Sequence, residues 1–133
     1  MTFDDYVGLP WLDRGRSRDG CDCWGLLGIY YAERFGVALP SYCDDYPTAA
    51  DSDAIASLID DRPSTWCEIA AGGERIGDAV LMTVAGRPHH IGVVVGDGLV
   101  LHIERSAGSL IESYRSMRLR RRVIGFFRHA QLA

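Results

Sequence analysis

The chain has 133 residues, 47% of them apolar and 24% charged, and a formal net charge of −4. That length suits one domain over residues 1–133 with a single core, and no apolar run is long enough to cross a membrane as a helix. The start, Met1-Thr-Phe-Asp-Asp-Tyr-Val, is acidic where a secretory leader would be basic and then apolar, so no export signal is expected.

All fourteen basic residues are arginine, and they are unevenly placed. Residues 1–40 carry a net −2, residues 41–80 a net −7 and residues 81–133 a net +5. Overall acidity argues against a nucleic-acid partner, despite the run Arg118, Arg120, Arg121, Arg122. That run reads as a solvated strand or loop, or else as a contact surface for a protein partner. Without an export signal, Cys21, Cys23, Cys43 and Cys67 are not expected to form disulfides, which leaves buried thiols, a metal site or a nucleophile. Cys21-Asp22-Cys23 is a C-x-C and lacks a second close-spaced pair, so no metal is expected.

In chain order, residues 8–20 are rich in Gly, Asp and Arg and read as a loop. Asp22 is a helix cap, and the helix it starts runs to about Phe35, where Gly36 stops it. Its sequence is apolar on every face until Glu33 and Arg34, which predicts a helix inside the fold. Gly25 and Gly28 lower helix propensity and therefore predict a close backbone approach. Residues 37–50 look irregular, and a short amphipathic helix is expected at 53–60. From Gly77 the pattern changes to short β-branched or aromatic runs at 78–84, 90–95, 99–104, 109–112 and 122–128. Gly96-Asp97-Gly98 reads as a hairpin turn between the second and third runs. A helix followed by strands predicts an α+β fold, with the buried N-terminal helix packed on an antiparallel β-sheet.

Chemistry gathers at Cys23. In the first turn of a buried helix its thiolate is favoured by unpaired N–H groups and the helix dipole. A nucleophilic cysteine also needs a base, and the strands offer His90 and His102 on either side of the predicted turn. An antiparallel hairpin brings these two positions close to opposite one another. Each residue alone has an ordinary structural explanation, a small buried thiol or a satisfied core histidine; the combination points to nucleophilic catalysis.

These residues lie in an order that resembles the NlpC/P60 cysteine peptidases, and among them the phage tail-assembly branch. Gly8-Leu-Pro-Trp, Gly15 and Asp19-Gly-Cys-Asp-Cys-Trp-Gly-Leu26 are similar to that family's G-x-P-Y, G and D-C-x-G-L. Gly36…Leu39-Pro-Ser-Tyr42, Gly77-Asp-Ala-Val-Leu81, His90-Ile-Gly-Val-Val-Val-Gly96, Leu101-His102 and Arg122-Val-Ile-Gly-Phe-Phe-Arg128 follow in register.

The resemblance implies a papain-like fold, with Cys23 as nucleophile, His90 as base and His102 as the orienting third member. Cys23 and Trp24 then line the site, with the Cys23 N–H in the oxyanion hole, and no cofactor or metal is needed. His89 matches no family position and reads as a loop residue. Asp13 stands where many members carry a tyrosine whose hydroxyl lines the site; a carboxylate there would disfavour a thiolate. The activity implied is hydrolysis of peptidoglycan stem peptides next to a γ-D-glutamyl residue. The expectation is a tail-tip protein, assembled in the host cytoplasm beside other tail-tip or baseplate proteins and acting at the host wall. A structural tail-tip part with the same fold is the alternative, and acyl transfer to an amine is a third.

Overall fold

Helix α1 spans Cys23–Phe35 between two defined caps. Asp22 is extended and its side chain accepts the Gly25 N–H, while Gly36 takes the left-handed conformation (φ 66°) and its N–H returns to the Tyr31 carbonyl. Cys23 to Leu27 and Ile29 to Tyr31 are buried, so the apolar sequence is matched by an interior position for all but the last turn. The computed structural model describes residues 3–12, 15–39, 66–84 and 87–132. The helix expected at 53–60, together with Asp13 and Cys43, lies outside the described residues.

The expected loop at 8–20 contains a small ribbon, with β1 (Arg16–Ser17) antiparallel to β2 (Gly20–Cys21). Its purpose is visible at Gly25. A Cβ there would stand 2.1 Å from the Gly15 carbonyl oxygen, so only glycine lets the ribbon lie against the first turn of α1. Gly28, expected to serve the same end, has open space where its Cβ would be.

The main sheet has six antiparallel strands in the order β3-β8-β4-β5-β6-β7. They are β3 (Trp66–Ile69), β4 (Ala79–Val84), β5 (Arg87–Gly96), β6 (Leu99–Glu104), β7 (Gly108–Ser113) and β8 (Val123–His129). Strands β4 to β8 correspond to the five expected runs, with β5 beginning three residues earlier than anticipated. Strand β3 was not anticipated: four residues at a sheet edge are too short to show a period.

Both faces of the sheet are buried. Leu81, Ile91, Val93, Leu101 and Ile103 pack beneath α1 against Leu27, Tyr30 and Tyr31. On the other parity, Val80, Met82, Val94, Val100 and Phe126 form a second cluster closed by Tyr114 and Leu119. The Tyr31 hydroxyl donates to the Gly77 carbonyl and ties the helix to the entrance of β4. Among the described residues, no helix is long and apolar enough to cross a membrane.

Candidate active site

Cys23 is the first residue of α1 and is 3% exposed. The Asp22 carboxylate beside it accepts both the Gly25 N–H and an Arg16 Nη1–H at 2.8 Å. The Cys23 sulfur faces the backbone N–H groups of Ile91 and Trp24. Burial, followed by the nearby Asp22 charge, pushes the thiol up to about 12, and the two N–H groups and Arg16 oppose this only in part. The expected thiolate at the helix start is therefore replaced by a neutral thiol at rest. The physical reason is one of size: a helix end contributes about 0.3–1 kcal/mol, whereas full burial moves a pKa by up to roughly 3–5 units.

The β5–β6 register pairs Val93 with Leu101 and Val94 with Val100. Continued outward, it sets Gly92 opposite His102 and leaves His90 on the diagonal, not directly across as the turn spacing had suggested. His90 Nε2 lies 2.9 Å from His102 Nδ1, and both rings are buried. Their meeting depends on Gly92. A Cβ at that position would stand 2.8 Å from the Leu101 carbonyl oxygen and 3.1 Å from His102 Cβ. We expect Gly92→Ala to push the two strands apart, costing about 1–3 kcal/mol as an overpacking change and breaking the His90–His102 hydrogen bond. Chemical denaturation and the imidazole NMR signals would read both effects, and an unchanged His90–His102 contact would refute the steric account.

His102 Nε2 is 3.2 Å from Glu112 Oε1 on β7. An ionised carboxylate can only accept, so a neutral His102 facing one would donate from Nε2 and accept at Nδ1 from His90 Nε2–H. That assignment leaves the lone pair of His90 on Nδ1. Burial lowers the His102 pKa below its ordinary 6.5, against opposing pulls from Glu112 and Glu104. The unfolded chain therefore takes up this proton first as pH falls. The stabilising contribution is whole above about 6.5 and is lost as pH drops through the lower folded value. His129, also lowered by burial, acts in the same direction. Stability measured between pH 7 and pH 5 should decline, and less steeply in His102→Gln; identical slopes would show that His102 does not contribute.

The other expected site residues fall as follows. Trp24 is 1% exposed and its ring meets Trp66 edge-on at 6.4 Å, while its backbone N–H faces the Cys23 sulfur. His89 lies within β5 and not in a loop. Cys21 is buried and Cys67 exposed, both as free thiols. His102, Glu104 and Glu112 place one donor atom each within 4.8 Å of one another, the arrangement among the described residues with metal-ligand chemistry. Arg118 already supplies the positive charge there, pairing with Glu104 at 2.6 Å and Glu112 at 3.2 Å.

The arginine run is thus divided. Arg118 and Arg122 turn back onto the sheet, whereas Arg120 and Arg121 are exposed. Glu112 and Arg118 are the site residues that sequence reasoning missed, because an isolated acid in a strand gains meaning only once the strand register is known.

Comparison with known proteins identifies the family. The NlpC/P60 family model matches residues 8–128. Murein DD-endopeptidase MepS/murein LD-carboxypeptidase of Escherichia coli (strain K12) is 24% identical over 111 residues, 84% of this chain and 50% of that protein. Tail tip assembly protein K of Escherichia phage N15 is 31% identical over 99 residues, 71% of this chain and 39% of that protein. This chain therefore spans half or less of these relatives' lengths. An NlpC/P60 family protein from Bacillus cereus superposes with a TM-score of 0.66 at 18% identity, over 92% of this chain and 36% of its own. Motif order, the papain-like α+β architecture and the matched family model lead to one assignment: the chain belongs to the NlpC/P60 family.

Proposed function

We propose that this chain is a cysteine peptidase that hydrolyses amide bonds of peptidoglycan stem peptides, next to a γ-D-glutamyl residue, at the tip of a phage tail. The observation that carries the reading is the row of buried His90 and His102 with half-buried Glu112, beside the strand residue, Ile91, whose N–H meets the Cys23 sulfur. The relatives named for murein cleavage and for tail-tip assembly support the two halves of the proposal.

The mechanism follows from the resting states. Cys23 holds its proton, so attack requires transfer of that proton to His90 Nδ1 as the substrate carbonyl arrives. The sulfur then forms a bond to the carbonyl carbon, and the oxyanion accepts the Cys23 N–H at the start of α1. His90 returns the proton to the leaving amine as the C–N bond breaks. Water, deprotonated by the same ring, releases the acyl group and restores the thiol.

A structural tail-tip role is the alternative, and the observation in its favour is the closed setting of Cys23, 3% exposed with a pKa of about 12. The deciding experiment incubates the purified protein with defined muropeptides and identifies the products by mass. Fragments separated at a stem-peptide amide establish the hydrolase; intact muropeptides, with the protein still folded, favour the structural part.

A further inference from the structure

Glu112 stands in a sequence of contacts that the Cys-His-His reading does not require. In the β6–β7 register Val100 pairs with Glu112 and His102 with Leu110, so Glu112 is the diagonal neighbour of His102. His90, His102 and Glu112 therefore form one oblique row across β5, β6 and β7, which are adjacent in the sheet. The row is joined at 2.9 Å and 3.2 Å. Arg118, in the turn that leads from β7 to β8, holds the far oxygen of Glu112 at 3.2 Å and donates to Glu104 at 2.6 Å. Arg122 closes the group, 3.7 Å from the same Glu104 oxygen and donating to the Thr83 carbonyl.

We propose that Glu112, clamped by Arg118, is a positioning residue that sets the tautomer of both histidines and so directs the His90 lone pair to Nδ1.

The chemistry leaves few options. The hydrogen bond between His90 Nε2 and His102 Nδ1 can run in either direction, and nothing within that pair chooses between them. If His102 carried its proton on Nδ1, it would donate to His90 Nε2, and the proton of a neutral His90 would then sit on Nδ1. The same ring would offer no basic nitrogen there. A carboxylate at His102 Nε2 removes this second arrangement, because Nε2 must then donate. Arg118 prevents the carboxylate from swinging away, since one oxygen is held while the other faces His102. Among the described residues, Glu104 and Arg122 are the other charged groups acting on His102, and they pair with each other or with Arg118. Glu112 is half-buried and Arg118 half-exposed, so the clamp is open to substitution without opening the core.

The proposal rests on His90 as the base, and its test has a readout that needs no substrate. In protein labelled with 15N at histidine, the wild type should show His102 protonated on Nε2 and His90 protonated on Nε2 as well. Glu112→Leu should move a fraction of both rings to the Nδ1–H form. It should also lower kcat about tenfold, part of the roughly hundred- to ten-thousandfold that a general base contributes, with KM changed less than about twofold, since Glu112 acts through His102. Glu112→Gln, whose amide oxygen still accepts from His102 Nε2–H, should restore the wild-type tautomer and recover part of kcat. Arg118→Met, which leaves Glu112 in place, should give an intermediate spectrum and serves if Glu112→Leu does not fold. A wild-type spectrum with His102 protonated on Nδ1 would overturn the proposal, as would a Glu112→Leu or Arg118→Met spectrum identical to wild type. If muropeptides are not cleaved at all, the hydrolase reading fails while the ring signals still decide the role of Glu112.

Discussion

Cys23→Ser should abolish cleavage of muropeptides while leaving the fold intact. The thiol sits in the apolar cluster under α1 and meets the N–H groups of Ile91 and Trp24. A serine hydroxyl is smaller, and its oxygen can accept the same two donors, so packing and the helix start survive. Chemistry should not survive, because a hydroxyl is a far weaker acid and nucleophile than a thiol when the proposed base is a histidine. The loss should be on the order of 10⁴-fold or more, as when one member of a cooperating nucleophile–base set is removed. Mass spectrometry of the products, with circular dichroism as the folding control, measures both halves. Cleavage within tenfold of wild type would remove Cys23 from the mechanism. A variant that unfolds would assign Cys23 a packing role instead.

Breaking the Arg128–Asp78 pair should cost a large share of the stability of the fold. Asp78 is 1% exposed at the entrance to β4, and Arg128 grips it with Nε at 2.8 Å and Nη2 at 2.7 Å. The Arg75 N–H adds a third bond at 2.9 Å. Arg128→Met leaves a buried carboxylate without its counter-ion, at a cost of about 3–5 kcal/mol. For a domain of this size that corresponds to a fall in Tm of roughly 10–20 °C. Asp78→Asn combined with Arg128→Met should recover part of the loss, since no buried charge is then stranded. Thermal unfolding of the wild type, both single variants and the double variant completes the cycle. A loss below about 1 kcal/mol in Arg128→Met would show that water reaches Asp78 and that the pair is an ordinary surface contact.

That pair also shows what a motif conceals. In the sequence, Gly77-Asp78 is a family-like strand opening, and Arg128 is one arginine of a closing segment fifty residues later. The structure makes them a single fastening. The Tyr31 hydroxyl reaches the Gly77 carbonyl from the helix side, so the same corner joins α1, β4 and β8. Loss of the Arg128–Asp78 grip should therefore disturb the seat of the helix that carries Cys23, as well as global stability.

Local chemistry by itself determined α1 and its limits, because a capping aspartate, an unbroken apolar run and a left-handed glycine are all encoded within fifteen residues. It also determined the strand runs after Gly77 and the hairpin at Gly96-Asp97-Gly98, whose side-chain pattern and turn residues are equally local. The order of motifs was enough for the family. Only the tertiary structure decided that β8 enters the sheet between β3 and β4, since antiparallel pairing of distant strands leaves no mark in either strand alone. It alone reversed the expected thiolate at Cys23, because burial depends on everything packed around the helix start and outweighs the dipole that the sequence displays. Glu112 and Arg118 became part of the histidine row for the same reason. Their roles follow from strand register and a returning turn, which bring together charges that are six residues apart with each other and ten or more from His102.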